Sequence, residues 1–411
     1  PLEAISGMDM ETDLLDDLVE KGLARQADSE NYDVHDLVRE FLTRSMEDSL
    51  SQSLHANAAE WYRVRKGNPS ESIEYIHHLH MSGDTEGLAE ALSEEGHSLV
   101  KAGHIELLGI LRVLEASLFG PRTRFVIHEL TGDILSIQGR WDEAEEQYDH
   151  ALPIAVKHKL TTPLARIYSS RADLAVKKGE MDNALSLHKK ALEMQIKLRD
   201  AQGAARSYNN MGYIFRRQRD NKRAIEVYGN VEELLESEDS PDLTEARIRL
   251  ASAFLEMGEM DRARDHAMKA HDETAENNQE KLHARSRAVL GRYYARIKDN
   301  DLAMHHYTGA LEILSDQSDP RSAVEVEILL GQVLSDAGST EEAAQHYLDA
   351  LSIAEANDFR MMQGEILSRL GEVESNRSQR MDYLQRSLVV FRELGAVDRM
   401  REVQNSVHRV V

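Results

Sequence analysis

Gly139-Arg140-Trp141-Asp142-Glu143-Ala144 returns down the chain as Gly179-Glu180-Met181-Asp182-Asn183-Ala184, Arg219-Asp220-Asn221-Lys222-Arg223-Ala224, Gly258-Glu259-Met260-Asp261-Arg262-Ala263, Lys298-Asp299-Asn300-Asp301-Leu302-Ala303 and Gly338-Ser339-Thr340-Glu341-Glu342-Ala343. A turn-forming stretch that recurs about every 40 residues marks an array of repeats. Four residues beyond the alanine a ring follows in most copies, as Tyr148, His188, Tyr228, Tyr307 and Tyr347, with Ala267 the exception. Three further on come Ala151, Ala191, Val231, Ala270, Ala310 and Ala350. Steps of four and three put these positions on one face of a helix. Upstream of each turn sits another small residue, Gly132, Ala172, Gly212, Ala251, Gly291 and Gly331, where a minimal side chain lets neighbouring helices come close. Each unit therefore reads as helix, short turn, helix.

This pattern resembles the tetratricopeptide repeat (TPR) family, whose units carry a small residue in the first helix and Ala, aromatic, Ala in the second. The resemblance covers residues 121 to 392 and implies an all-α right-handed superhelix of about seven units. The period is longer than the usual ~34 residues of that family, and the excess is expected to lengthen the second helix and the following link, as in Ala155 to Thr162 and Ser237 to Thr244. A shorter, degenerate unit around Gly371 and Tyr383 suits an end position, where one face meets water.

Composition bounds the function. The net charge is -24, from 73 acids against 49 bases, which disfavours general nucleic-acid binding. There is no cysteine, so disulfides, thiol catalysis and thiolate zinc sites are excluded. No apolar run has the ~20 residues that a membrane helix needs, and no secretory signal is visible; a cytoplasmic protein without membrane attachment is expected. Of the seven prolines most fall between helices, while Pro153 lies within a helical stretch and is expected to kink it. The sequence starts at Pro1 and reads as a piece of a longer protein, monomeric as a fragment and oligomeric on activation when intact.

The front end does not repeat. Residues 11 to 47 read as an amphipathic helix ended by Gly22, a short hairpin around Asp28-Ser29-Glu30-Asn31, and a second helix. Helix, hairpin, helix is the tail of a winged helix. The string Tyr32-Asp33-Val34-His35-Asp36-Leu37-Val38-Arg39-Glu40-Phe41-Leu42 resembles the segment closing the nucleotide-binding half of STAND signalling ATPases, where a Met-His-Asp motif places its histidine near the β-phosphate of ADP. The resemblance gives His35 that role and Asp36 its neighbour's, with Val34 replacing the methionine; the alternative is that His35 only packs or caps the hairpin. No Gly-x-x-x-x-Gly-Lys-Ser/Thr string occurs, so ADP or ATP is expected only with an upstream nucleotide-binding domain. Residues 54 to 119 are helical but off-period, and through Ala58 to Tyr62, Glu71 to His80 and Gly87 to Leu92 they resemble the helical connector of STAND regulators. The expected division is a winged-helix remnant at 1-48, a connector at 49-120, TPR units at 121-395 and a capping helix at 396-411.

No enzyme signature emerges. His77 and His80 have helical spacing for metal ligands, but with no third ligand nearby they read as residues of a solvated helix, and no metal is expected. Asp142, Glu143, Asp182 and Asp261 read as helix-start acids favoured by the dipole. First helices line the concave groove in TPR proteins. Six positions before the small residue come Arg166, Arg206, Glu245, Arg285, Glu325 and Glu365, a change from basic to acidic along the array. Asn209, Asn210, Tyr213, Arg216 and Arg217, then Arg292 and Arg296, add to it. Two readings stay open: guanidinium forks that grip an acidic segment of a protein or peptide partner, with asparagines bonding its backbone, or arginines that pair with acids between units. The whole reads as the sensing half of a STAND-type regulator, recognising a protein, peptide or small effector; the alternative is a freestanding TPR scaffold with no nucleotide switch.

Overall fold

In the computed structural model, residues 19, 21, 24–26, 32–34, 46–64, 68–235, 240–276, 279–315 and 319–410 are described. The chain forms two compact units, Pro1–Leu198 and Arg199–Val411. In the first, strands β1 (Ala24–Gln26) and β2 (Tyr32–Val34) pair antiparallel with Ala24 opposite Val34. His35 and Asp36 lie outside the described residues, and the winged-helix remnant expected there finds no further support among the described ones.

Helices α1 (Asp48–Arg63), α2 (Pro69–Ser82), α3 (Thr85–Lys101) and α4 (Leu107–Val113) precede two hairpins, α5 (Pro121–Ile137) with α6 (Trp141–Lys157) and α7 (Thr161–Lys178) with α8 (Met181–Leu198). A hydrophobic core runs without a break from Ala59 of α1 through Leu130 of α5 to Leu174 of α7, so the connector and the first repeats share one interior. The second unit stacks α9 (Ala201–Arg217) with α10 (Asn221–Leu235), α11 (Pro241–Met257) with α12 (Met260–Glu276), α13 (Glu280–Arg296) with α14 (Asn300–Ser315), α15 (Pro320–Asp336) with α16 (Thr340–Ala356), and α17 (Arg360–Val373) with α18 (Arg377–Glu393). Within each unit, the second helix of a hairpin packs on its own first helix and on the first helix of the next hairpin. Helix α19 (Val397–Val410) closes the end by covering Leu384 and Phe391 with Val403.

The recurring residues have separable physical jobs. The signature alanines Ala144, Ala184, Ala224, Ala263, Ala303 and Ala343 are all fully buried, as are the apolar residues seven further on. The residue that opens each quoted turn has positive φ, including Arg219 (61°) and Lys298 (64°) where other copies use glycine. That left-handed residue lets the following N–H bond back to the closing turn of the first helix, as Arg140 N to Leu135 O (2.9 Å) and Asp220 N to Phe215 O (2.9 Å). Asp142, Glu143, Asp182 and Asp261 do stand in first turns.

The small residue of the first helix is the seat of the ring in the second. A Cβ on Gly132, Gly212, Gly291 or Gly331 would come within 2.3 to 2.6 Å of the ring of Tyr148, Tyr228, Tyr307 or Tyr347. Where the seat is alanine, at Ala172 and Ala251, the partner position holds the smaller His188 or Ala267. In the shorter end unit Gly371 receives Leu384 in place of a ring. The second helix is long, as the period led one to expect, with 17 residues in α12, and the first helix α11 has 17 as well. Pro153 lies inside α6.

Candidate functional site

In the second unit, equal positions of successive first helices face each other because the hairpins repeat in register. Arg285 of α13 and Glu245 of α11, which occupy the same repeat position, form a two-pronged ion pair, with Nη2 3.0 Å from Oε1. Arg249, one turn along α11, holds the same carboxylate, and Glu245 is little exposed. Although burial pushes the Glu245 carboxyl up, Arg249 and Arg285 outweigh it and hold its pKa below the ordinary value. Arg285 is therefore an internal strut. In the first unit Arg166 does the same work, bonding Glu129 of α5 through Nε (3.0 Å) and Nη2 (2.8 Å) while His97 Nε2 lies 2.8 Å from the same group.

A second cluster lies within about a turn and a half after the small residues, and among the residues named here cations outnumber acids. Arg216 of α9 bonds Glu256 of α11, and Arg292 Nη2 of α13 lies 4.0 Å from the same Glu256 Oε1. Asn221 adds a hydrogen bond to Oε2 at 3.0 Å. Two guanidiniums thus share one carboxylate. Arg216 Nε is buried without a hydrogen-bond partner. Burial, reinforced by Arg216 and opposed by Glu256, lowers the Arg292 pKa from its ordinary value. Arg217 and Arg296 are exposed on the same helix ends, and no ion pair involves either among the described residues.

The other expected groove residues divide. Arg206 is exposed on α9 with no ion pair among the described residues. Tyr213 is 37 % exposed, with the Arg249 guanidinium 5.5 Å from its ring centre. Asn209 is buried and gives its Nδ2 hydrogen to the Asp242 carbonyl (2.9 Å), tying α9 to the start of α11, so it is a packing residue. Asn210 is half-buried. Of the ten residues singled out, Arg206, Tyr213, Arg216, Arg217, Arg292 and Arg296 form a candidate anion-binding face on α9 and α13, whereas Arg166, Arg285 and Asn209 are committed to the fold. The pairing was readable in outline, since Glu245 and Arg285 have opposite charge at one repeat position; that they meet depended on the register of stacking.

His77 and His80 are not joined by a third ligand, and no group of three metal-binding side chains occurs among the described residues. Instead His78 meets His55 of α1, with Nδ1 atoms 2.7 Å apart. Burial, with His55 and His77 nearby, lowers the His78 pKa to about 4. No helix of the described residues is long and apolar enough to cross a membrane.

Residues 120–363, more than half the chain, match the family described as the MalT-like TPR region. No curated protein matches the sequence. Among solved structures, a STAND protein with a tetratricopeptide repeat sensor from Pyrococcus horikoshii is similar at a TM-score of 0.66 and 15 % identity, over 98 % of this chain and 62 % of that one. The present chain thus spans under two thirds of that protein's length. A Rap protein solved in complex with competence and sporulation factor is similar at a TM-score of 0.50 and 11 % identity, over 86 % of this chain and 98 % of that one. Similarities at this level of identity describe the fold.

Proposed function

Because this chain belongs to the MalT-like TPR region family, we propose that it is the sensing module of a STAND-type signal-transduction regulator, which binds a protein, peptide or small effector on its first-helix face. The observation that carries the reading is the cation excess at the ends of α9 and α13: Arg216 and Arg292 share one carboxylate, with Arg217 and Arg296 exposed beside them. A desolvated, under-neutralised guanidinium pair is suited to an incoming carboxylate or phosphate, which it can grip through paired N–H donors. Against a net charge of -24 such a patch also selects its ligand, since most of the surrounding surface repels anions. The module acts by binding, without catalysis, and in the intact protein its ligand shifts the balance between two arrangements of sensor and nucleotide-binding half.

The test uses fluorescein-labelled octapeptide pools, one acidic and one basic, followed by anisotropy. The acidic pool should bind with an affinity that falls with salt, and Arg217→Glu with Arg296→Glu should weaken it by about tenfold or more. Equal binding of both pools, or unaltered binding by the double variant, removes the reading.

A further inference from the structure

The first unit holds a separate cavity of about 300 Å³ between α3, α5 and α7, whose wall includes His97, Lys101, Asp133, Tyr148, Asp173 and Lys177. Its floor is Asp133, next to the Gly132 seat, where the Tyr148 hydroxyl donates to Oδ1 at 2.7 Å. Ser170 nearby also favours the charged form of this carboxylate. A carboxylate has about four acceptor positions, so the Tyr148 hydroxyl leaves room for further donors. No cationic side chain comes within ion-pair distance of Asp133 among the described residues, and Glu129 adds negative charge nearby.

The neighbouring wall carries a second carboxylate, Asp173. Asp173 faces His188, whose Nε2 is 3.5 Å away, but His188 is fully buried and neither of its ring nitrogens has a hydrogen-bond partner. Burial lowers its pKa to about 4, so His188 is uncharged at neutral pH. Cations stand instead at the rim. Lys101 is exposed, and Lys177 donates to Ser136 Oγ at 2.8 Å and Ser136 O at 3.3 Å. An ammonium has three donors, which leaves Lys177 one for another acceptor.

We propose that this cavity binds a small zwitterion, a free amino acid, with its ammonium on Asp133 and its carboxylate between Lys101 and Lys177. A pure polyamine would meet the two lysines at the rim, and a pure acid would meet Asp133 at the floor; only a ligand carrying both charges satisfies both ends. The volume lies at the small end of ligand pockets, room for one such molecule and not for a chain segment. Val100 and Ile137 line the remaining wall and suit an aliphatic side chain. The site is independent of the arginine face of the second unit.

Isothermal titration with L-leucine tests this, with N-acetyl-L-leucine lacking the ammonium and L-leucine methyl ester lacking the carboxylate. L-leucine should bind saturably at one site, and each blocked form about tenfold or more weakly. Asp133→Asn keeps an acceptor for Tyr148 and should lose binding; exposed Lys101→Glu should weaken L-leucine and strengthen the methyl ester. Arg217→Glu with Arg296→Glu should leave L-leucine binding unchanged, which separates this site from the peptide face. The proposal fails if L-leucine, glycine and L-lysine all give no saturable heat up to about 10 mM, if the N-acetyl form binds as well as L-leucine, or if Asp133→Asn binds normally.

Discussion

Gly212→Ala should destabilise the protein, although alanine is the better helix former. A Cβ at this position of α9 would lie 2.3 Å from Tyr228 Cε1, 2.5 Å from Cζ and 2.7 Å from Cδ1, all short of ordinary contact by about an ångström or a little less. Tyr228 is fully buried, so its ring has no solvent side into which to retreat. Overpacking of this kind costs about 1–3 kcal/mol, against which alanine returns about 0.5–1 kcal/mol of helix propensity. The net loss should be about 1–2 kcal/mol. The decisive measurement is the cycle with Tyr228→Ala, which reproduces the Ala251 and Ala267 arrangement of the next hairpin. Once the ring is gone, the same Gly212→Ala change should stabilise by about 0.5–1 kcal/mol, so its sign reverses and the coupling is about 1.5–3 kcal/mol. Urea unfolding followed by far-UV circular dichroism gives the four stabilities, and hydrogen exchange in α9 and α10 localises the loosening in an array whose repeats depend mainly on their neighbours. A Gly212→Ala variant as stable as the parent, or the same sign in both backgrounds, refutes the seat-and-ring argument.

Arg219 and Lys298 hold the positive φ that other copies give to glycine. Arg219→Gly and Lys298→Gly should each therefore raise the stability, by about 1 kcal/mol, once the strain of a left-handed side chain is relieved; a lowered urea midpoint contradicts this. Arg285→Glu sets a second acid against Glu245, which keeps Arg249, and should cost about 1–3 kcal/mol in urea unfolding, whereas Arg217→Glu on the exposed face should stay within about 0.5 kcal/mol. Similar losses for both would remove the distinction between strut and binding arginine. Burial, with Glu129 adding to it and Tyr148 and Ser170 opposing it, pushes the Asp133 pKa up from 3.8 to about 6. Between those values the folded state holds a proton that the unfolded state has released, so the contribution of Asp133 to stability declines as pH rises from about 4 to about 6 and is flat above. Asp133→Asn should accordingly match the parent near pH 4 and exceed it by about 1–3 kcal/mol at pH 7.5, measured as urea midpoints at the two pH values. An equal or less stable variant at pH 7.5 would show that Asp133 is not a charge held at a cost in stability.

The chain of small residues and rings settled the fold from sequence because each repeat imposes the same packing problem and solves it with residues of matched size. Gly212 with Tyr228 and Ala172 with His188 state that match in the sequence alone, and the buried signature alanines follow from their spacing of three and four. The acids at helix starts were legible for a similar reason, since a helix dipole acts within a few residues of chain.

The arginines were legible as a cluster but not as a site. Sequence spacing says which residues share a face; whether Arg285 meets Glu245 or faces open water depends on how one hairpin slides against the next, and that register is set by side chains on all the packed helices at once. The same holds for Asp133, one residue after a glycine seat: its cavity is walled by α3, α5 and α7, so three segments far apart in sequence had to fold together before a carboxylate could lie there without a cation. Repeat identity and hairpin order came from local periodicity, which short-range sterics and burial determine. Which charges were spent inside the structure, and which were left for a ligand, came only from tertiary packing, because neutralisation is a matter of distance in space and not of position along the chain.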